Sequence, residues 1–403
     1  MRRASGRPAL AAVAALVATV VVALGAGPAR AQEGRMGGVL DLSPGATPPV
    51  VVLFTIGRGE LIFEKFGHTA LCLDYREPGR ETVCFNYGVT DFTMDPVDLT
   101  WAFIRGRQKF YVEPVPLNGM VAFYRHEDRT MWRQDLRLTA EQARAIEARL
   151  LHDIRPENRF YIYDHFADNC TTRLRDIIDA HTGGALREGS GSRFPLTFRQ
   201  MGRQGLAELP PLIAFGDFAV GRALDEPITL WQAMFHPFVL RDHVEHVFAA
   251  PAQLLYERRG PPIPDDGPTN RGWALFFGLL LALPLLASKL TGRFERGAVA
   301  IVSVPLALLG LVIWTAAIIS TIPGLRWNEA LFLYVPFDVV LPFLAPARRR
   351  QYARVRLATF VVVSLLCAVG LFLQPLWVPI VVGFALFGLI ALELPSPPLA
   401  RRR

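Results

Sequence analysis

The chain has 403 residues, of which 51% are hydrophobic, and it carries a formal charge of +7. That hydrophobicity excludes a disordered or collagen-like chain, and the length allows two or three domains. Four cysteines, Cys72, Cys84, Cys170 and Cys367, are too few and too scattered for a disulfide scaffold or a zinc ribbon.

The charge is unevenly placed. Residues 1–31 hold Arg2, Arg3, Arg7 and Arg30 and no acid, which gives +4. Residues 271–403 hold 13 basic residues against Glu295, Glu329, Asp338 and Glu393, which gives +9. The segment between them is left at −6. Its basic residues form no run, so a phosphate-binding stripe is unsupported and no nucleic-acid partner is expected. The basic excess belongs to two hydrophobic ends, as membrane topology requires.

In chain order, the N-terminus reads as a signal peptide over residues 1–31. Arg2, Arg3 and Arg7 precede an apolar run from Ala9 to about Ala26, and Ala29-Arg30-Ala31 offers a cleavage site before Gln32. The run is long, and an uncleaved anchor is the alternative. Residues 32–270 then read as one exported α+β domain. Val50–Ile56 is a β-branched run. His68–Tyr75 and Thr82–Tyr87 flank the turn-forming Arg76-Glu77-Pro78-Gly79-Arg80, which predicts a hairpin. A turn centred near Pro78 sets Cys72 opposite Cys84. In an oxidising compartment the pair can form a cross-strand disulfide; two buried thiols are the other reading. From Leu138 the period turns helical. Thr139 and Gln142 make a capping box for a helix over Ala140–Ile154. A second helix starts near Asn169 or Cys170 and stops at Gly183-Gly184. Residues 185–270 are punctuated by Pro and Gly and read as short helices and loops.

Five apolar stretches follow, at about Gly272–Ser288, Gly297–Ser320, Glu329–Ala345, Leu357–Leu373 and Leu376–Leu394. Each is long enough to cross about 30 Å of hydrocarbon as a helix. This predicts a transmembrane domain of about five helices over 271–403. With 32–270 exported, the inward loops carry Lys289, Arg293, Arg296, Arg348, Arg349, Arg350, Arg354, Arg356 and Arg401–Arg403, and the outward loops carry Arg326 alone. That asymmetry obeys the positive-inside rule. Four spans is the main alternative. Asp338 falls near the middle of the third stretch, where an ionisable group is either functional or bonded to a neighbouring helix at a Pro-loosened turn. Cys367 lies inside a span and reads as packing.

Cys170 is the one cysteine with a chemical context. It lies in Asp168-Asn169-Cys170-Thr171-Thr172-Arg173. At a helix N-terminus its thiolate gains from free N–H groups and the helix dipole, and Arg173, one turn on, adds positive potential. A thiol nucleophile needs a base. His68 begins a strand after a permissive glycine in Phe66-Gly67-His68-Thr69-Ala70. A strand-borne His facing a helix-borne Cys is how papain-like folds build a dyad, and here the His precedes the Cys, the permuted order. Asn86 shares the His68 face one diagonal away and suits the third position of a triad; His165 and Asp168 are the alternatives. Three competing readings stand beside this. Asp164, His165 and Asp168 suggest a metal site only weakly, because their spacing is not that of helix-borne ligands. Asn169-Cys170-Thr171 fits a glycosylation sequon, but at a helix start. Cys170 and His68 are also explained as structural residues.

Taken together these blocks resemble a known family. Val52-Leu53-Phe54-Thr55, Phe66-Gly67-His68-Thr69-Ala70-Leu71, Phe85-Asn86-Tyr87-Gly88 and Asp168-Asn169-Cys170-Thr171-Thr172-Arg173 are similar to the Lnb N-terminal periplasmic domain. Thr197-Phe198-Arg199 and Phe235-His236-Pro237 fit its tail. Asn328-Glu329-Ala330-Leu331 with Pro336 resembles an element of the Lnb-like transmembrane domain. The likeness runs over roughly residues 48–345.

The resemblance implies a permuted papain-like (NlpC/P60-like) periplasmic domain followed by an all-α transmembrane bundle in the bacterial inner membrane. It implies a lipoprotein N-acyltransferase, with lipoproteins and phospholipid as substrates. Carried over by motif, Cys170 is the nucleophile and His68 the general base, with Asn169 and Thr171 beside them. Backbone N–H groups near Cys170 and Thr171 are expected to hold the oxyanion. An amine attacks a thioester readily, so no metal or other cofactor is required. Two other functions compete: a periplasmic cysteine hydrolase (phospholipase, thioesterase or cell-wall peptidase), which differs only in using water as acceptor, and a non-catalytic membrane protein.

Overall fold

The computed structural model describes residues 40–61, 64–90, 96–264 and 266–393. The predicted signal peptide and Arg401–Arg403 lie outside them. The described residues fall into two compact units. One runs to Gly205 and resumes from Pro227 to residue 264; the other takes Leu206–Glu226 and everything from Asp266 on. Residues 206–226 and 266–270 thus pack in the same unit as the apolar helices.

The first unit is built on a seven-stranded sheet. Its strands are β1 (Val50–Ile56), β2 (His68–Asp74), β3 (Val83–Val89), β4 (Lys109–Pro116), β5 (Met131–Asp135), β6 (Phe160–Ile162) and β7 (Gln253–Tyr256). The order across the sheet is β6-β4-β3-β2-β1-β5-β7, with every neighbouring pair antiparallel. Its helices are α1 (Pro96–Ile104), α2 (Leu117–His126), α3 (Ala140–Asp153), α4 (Cys170–His181), α5 (Phe198–Gly205), α7 (Leu230–Ala233) and α8 (Pro237–Phe248); α6 (Pro210–Ala219) belongs to the second unit. The strands β1 to β3 are nearly all buried, because helices cover both faces. Leu53, Leu71, Leu73, Phe85 and Tyr87 pack with α3 and α4 through Ile146, Leu150, Leu174 and Ile178. Val52, Phe54, Ile56, Ala70 and the two hairpin cysteines pack with Met120 and Tyr124 of α2 on the opposite face. The two sets alternate along each strand, as the two-residue period demands.

The hairpin forms with Cys72 paired to Cys84, and the two are disulfide-bonded. Thr139 and Gln142 make the expected capping box on α3. Helices α1 and α2, between the hairpin and α3, were not foreseen, nor was β7 within residues 185–270. They are short, and the sheet supplies the partner face that their own sequence leaves open.

The second unit holds α6, α9 (Arg271–Leu280), α10 (Leu283–Thr291), α11 (Glu295–Ile319), α12 (Pro323–Arg326), α13 (Pro346–Ala368) and α14 (Trp377–Ala391). Three of its helical stretches are long and apolar enough to cross a membrane: 271–291, Glu295–Ile319 and Pro346–Ala368. Helix α14 has 15 residues, about 22 Å of rise. The third predicted span is not an α-helix. Residues Glu329–Phe332 and Pro336–Phe343 form 3₁₀ turns, broken by Pro336 and Pro342.

That stretch still returns along α11. Trp314, near the far end of α11, donates its indole N–H to the carbonyls of Leu331 and Tyr334. Just past the other end of the stretch, Arg349 pairs with Glu295 at the start of α11. Irregular backbone in an apolar setting needs partners for its carbonyls. Arg356 donates to Phe332 and Leu333, and Arg349 to Leu341 and Leu344. Gly310 lets the strap lie close, since a Cβ there would sit 2.7 Å from the Tyr334 carbonyl oxygen. Asp338, expected in mid-helix, instead sits in this strap. It accepts from the Tyr352 hydroxyl at 2.8 Å and pairs with Arg356 at 3.1 Å.

Candidate active site

The site begins with a helix cap. The Asn169 side-chain oxygen accepts from the N–H groups of Thr171 and Thr172, and the Thr172 hydroxyl accepts from the Asn169 N–H in return. The Asn169 amide nitrogen donates to the carbonyls of His165 and Phe235. Asn169 is thereby buried and fully used, which removes the sequon as an acceptor. Cys170 becomes the first residue of α4, where unpaired N–H groups and the helix dipole favour an anion.

Helix α4 covers one face of the sheet, whereas parity gives His68 and Asn86 to the other. They meet where β3 changes register between Asn86 and Val89. Gly88 lies in this irregularity with φ of +92°, and a Cβ there would come 3.3 Å from the Cys170 Cβ. Glycine both adopts that backbone and leaves room for the thiol. His68 Nε2 is 3.1 Å from Asn86 Oδ1. An amide oxygen can only accept, so this contact selects the Nε2–H tautomer and leaves Nδ1 free to take a proton. Burial pushes the half-buried Cys170 thiol up. The charge and hydrogen bond of His68, the Thr171 hydroxyl and the Thr69 backbone N–H outweigh it, and hold the thiol below the usual range.

The other sequence-derived candidates have definite places. Thr171 is buried, with its hydroxyl 3.0 Å from that of Thr69 and 3.8 Å from the Cys170 sulfur. Its N–H is taken by the Asn169 cap, so of the two amides expected to hold an oxyanion the cap leaves only that of Cys170. Arg173 does not lend free charge to the thiol, because Asp168 grips it through two bonds of 2.6 and 2.8 Å. This also removes Asp168 as the orienting group for His68. His165 is packed among Phe66, Phe166 and Phe235 instead. Burial lowers its pKa to about 4, and that of His236 to about 3. The Asp164 carboxylate caps the N–H groups of Phe166 and Ala167. Asp338 belongs to the second unit and Cys367 to α13 within it.

Sequence reasoning missed Gly88 and Tyr161. The glycine stood in the Phe85-Asn86-Tyr87-Gly88 block, at the end of a strand where a bulge is common. The Tyr161 hydroxyl lies 3.9 Å from the same ideal Gly88 Cβ position.

Residues 46–204 match the family model described as the Lnb N-terminal periplasmic domain. The match takes in His68, Asn86 and Cys170, and ends before Phe235-His236-Pro237 and all of the apolar helices. No curated protein and no solved structure matches the chain. The segment that carries the Cys170, His68 and Asn86 constellation is thus similar to an Lnb periplasmic domain, and in this chain it is followed by helices apolar and long enough to cross a membrane.

Proposed function

We propose that the protein is a membrane-anchored acyltransferase that N-acylates the N-terminal cysteine of bacterial lipoproteins, with its site on the periplasmic side of the inner membrane. The observation that carries this reading is the Cys170–His68–Asn86 array inside a segment similar to the Lnb periplasmic domain. The permuted papain-like arrangement belongs to the same reading: the base lies on β2 and the nucleophile at the start of α4, in that chain order.

The chemistry proceeds in two halves. His68 accepts the Cys170 proton, and the sulfur attacks the carbonyl of an acyl ester, such as that of a phospholipid. The ester C–O bond breaks, the leaving alkoxide takes the proton from His68, and a Cys170 thioester remains. The α-amine of a lipoprotein N-terminal cysteine then attacks the thioester carbonyl. His68 takes a proton from the amine, the C–S bond breaks, and an amide forms. Both substrates are lipids, so tethering the site to a bilayer raises their effective concentration.

Expression in cells lacking their own N-acyltransferase tests this directly. Diacylated lipoproteins should become N-acylated, as seen by mass spectrometry, and Cys170→Ala should abolish the conversion while leaving the protein in the membrane. Lipoproteins that stay diacylated while free fatty acid accumulates would move the reading to a cysteine hydrolase. Conversion by Cys170→Ala at the wild-type rate would remove the covalent mechanism.

A further inference from the structure

An oxyanion formed on a Cys170-bound carbonyl needs more than one donor, and the Asn169 cap takes the Thr171 N–H that was expected to serve. We propose that the Tyr161 hydroxyl is the second donor of the oxyanion site, beside the Cys170 N–H. This rests on the reading of Cys170 as the acyl carrier.

Tyr161 is 7% exposed, and its hydroxyl has no hydrogen-bond partner among the described residues. Buried hydroxyls are normally bonded, and one left open at a reactive centre marks a place kept for a ligand atom. The hydroxyl and the Cys170 Cβ flank the same point beside Gly88, at 3.9 and 3.3 Å from the ideal Cβ position there. The ring is held firmly. Tyr161 pairs with Phe110 across β4 and β6, and the Arg173 guanidinium lies 3.9 Å over its face, locked by Asp168. The cation draws electron density from the ring and makes the O–H a stronger donor. Burial, with the Cys170 charge added, raises the phenol well above its ordinary range, so it keeps its proton at any working pH. It also explains why Arg173 is gripped by a carboxylate: its charge serves the tyrosine face instead of the thiol.

The oxyanion role separates from thiolate formation by choice of reagent. p-Nitrophenyl butyrate acylates sulfur through a tetrahedral oxyanion, whereas iodoacetamide alkylates it by displacement without one. In the full-length protein in detergent, Tyr161→Phe should slow Cys170 acylation by about 10²-fold, in kcat with little change in KM. Alkylation of Cys170 should stay within about twofold of wild type and keep its pH profile. Acylation at the wild-type rate would overturn the proposal, and so would an equal fall in both reactions, which would mean that Tyr161 only shapes the thiolate. A wild-type protein that is alkylated but never acylated at Cys170 would overturn the acyl-carrier reading itself, and the oxyanion site with it.

Discussion

In the first unit, short neutral side chains close much of the buried irregular backbone, beside arginines such as Arg129, which donates to the Gly57 carbonyl. Asn169 caps α4 and clasps the carbonyls of His165 and Phe235, and Gln134 donates to those of Arg241 and Ala250. In the 3₁₀ strap of the second unit the same task falls to charged groups, while Asn328 and Gln374 hold the carbonyls of Phe218, Ala219 and Val220. Arg349 and Arg356 hold four carbonyls of the 3₁₀ strap, and Glu329 accepts from the N–H groups of Leu373 and Gln374. The difference follows from distance. A cap reaches one turn, whereas a proline-broken strap beside a long helix needs side chains that reach across from the next one. It also separates purposes. The strap's carbonyl clasps are closed from both sides, while the first unit leaves the Tyr161 hydroxyl open beside a thiol.

The largest effect is expected from removing the His68 imidazole. His68→Ala should lower activity by about 10³-fold and move Cys170 alkylation to higher pH, because the imidazole is what holds the thiol down. An unchanged alkylation profile would assign the thiol's reactivity to the helix end alone. Next comes the strap. Arg356→Ala leaves two carbonyls and Asp338 without their partner, at a cost of about 3–5 kcal/mol. A detergent melt should show the loss; an unchanged midpoint would mean that water or Trp314 replaces the clasp.

Acid should strike the first unit through its two buried imidazoles. Their folded pKa values of about 4 for His165 and about 3 for His236 lie below the ordinary 6.5. The unfolded chain therefore binds protons first as pH falls, and stability drops from about pH 6.5 downward until each folded group titrates. His165 alone contributes about 3 kcal/mol over that window. The check is denaturant unfolding of the full chain against pH, and His165→Phe should flatten the slope; a slope kept by that variant would point to other groups. The smallest effect is that of Asn86→Ala. Losing the bond that fixes the His68 tautomer should cost about tenfold in kcat, with partial recovery in Asn86→Asp. Full activity in Asn86→Ala would leave His68 oriented by its packing against Tyr124.

Much of this arrangement was legible in one dimension. The turn at residues 76–80 put Cys72 opposite Cys84 and Asn86 diagonal to His68, because hairpin register needs only counting. The Thr139–Gln142 capping box announced α3, and the helix expected from Asn169 or Cys170 begins at Cys170. The apolar stretches and their flanking arginines were likewise a matter of composition. Local rules did not reach further. Residues 206–226 join the second unit through Asp217 with Arg271, and through Asn328 and Gln374 bonding the carbonyls of Phe218, Ala219 and Val220. These contacts are about 50 to 150 residues apart in sequence, beyond any periodicity.

The sequence by itself determined the hairpin strands, the starts of α3 and α4, the apolar stretches and the choice of Cys170 and His68 as candidates, since each depends on neighbours within a few residues. Only the tertiary structure decided that the third stretch would be a strap and not a helix. It alone brought Cys170 to His68 past Gly88, and it alone spent the Thr171 amide on a cap while leaving the Tyr161 hydroxyl open. The physical reason is that a hydrogen-bonding group's role is set by what fills the space around it, and that space is assembled from distant parts of the chain.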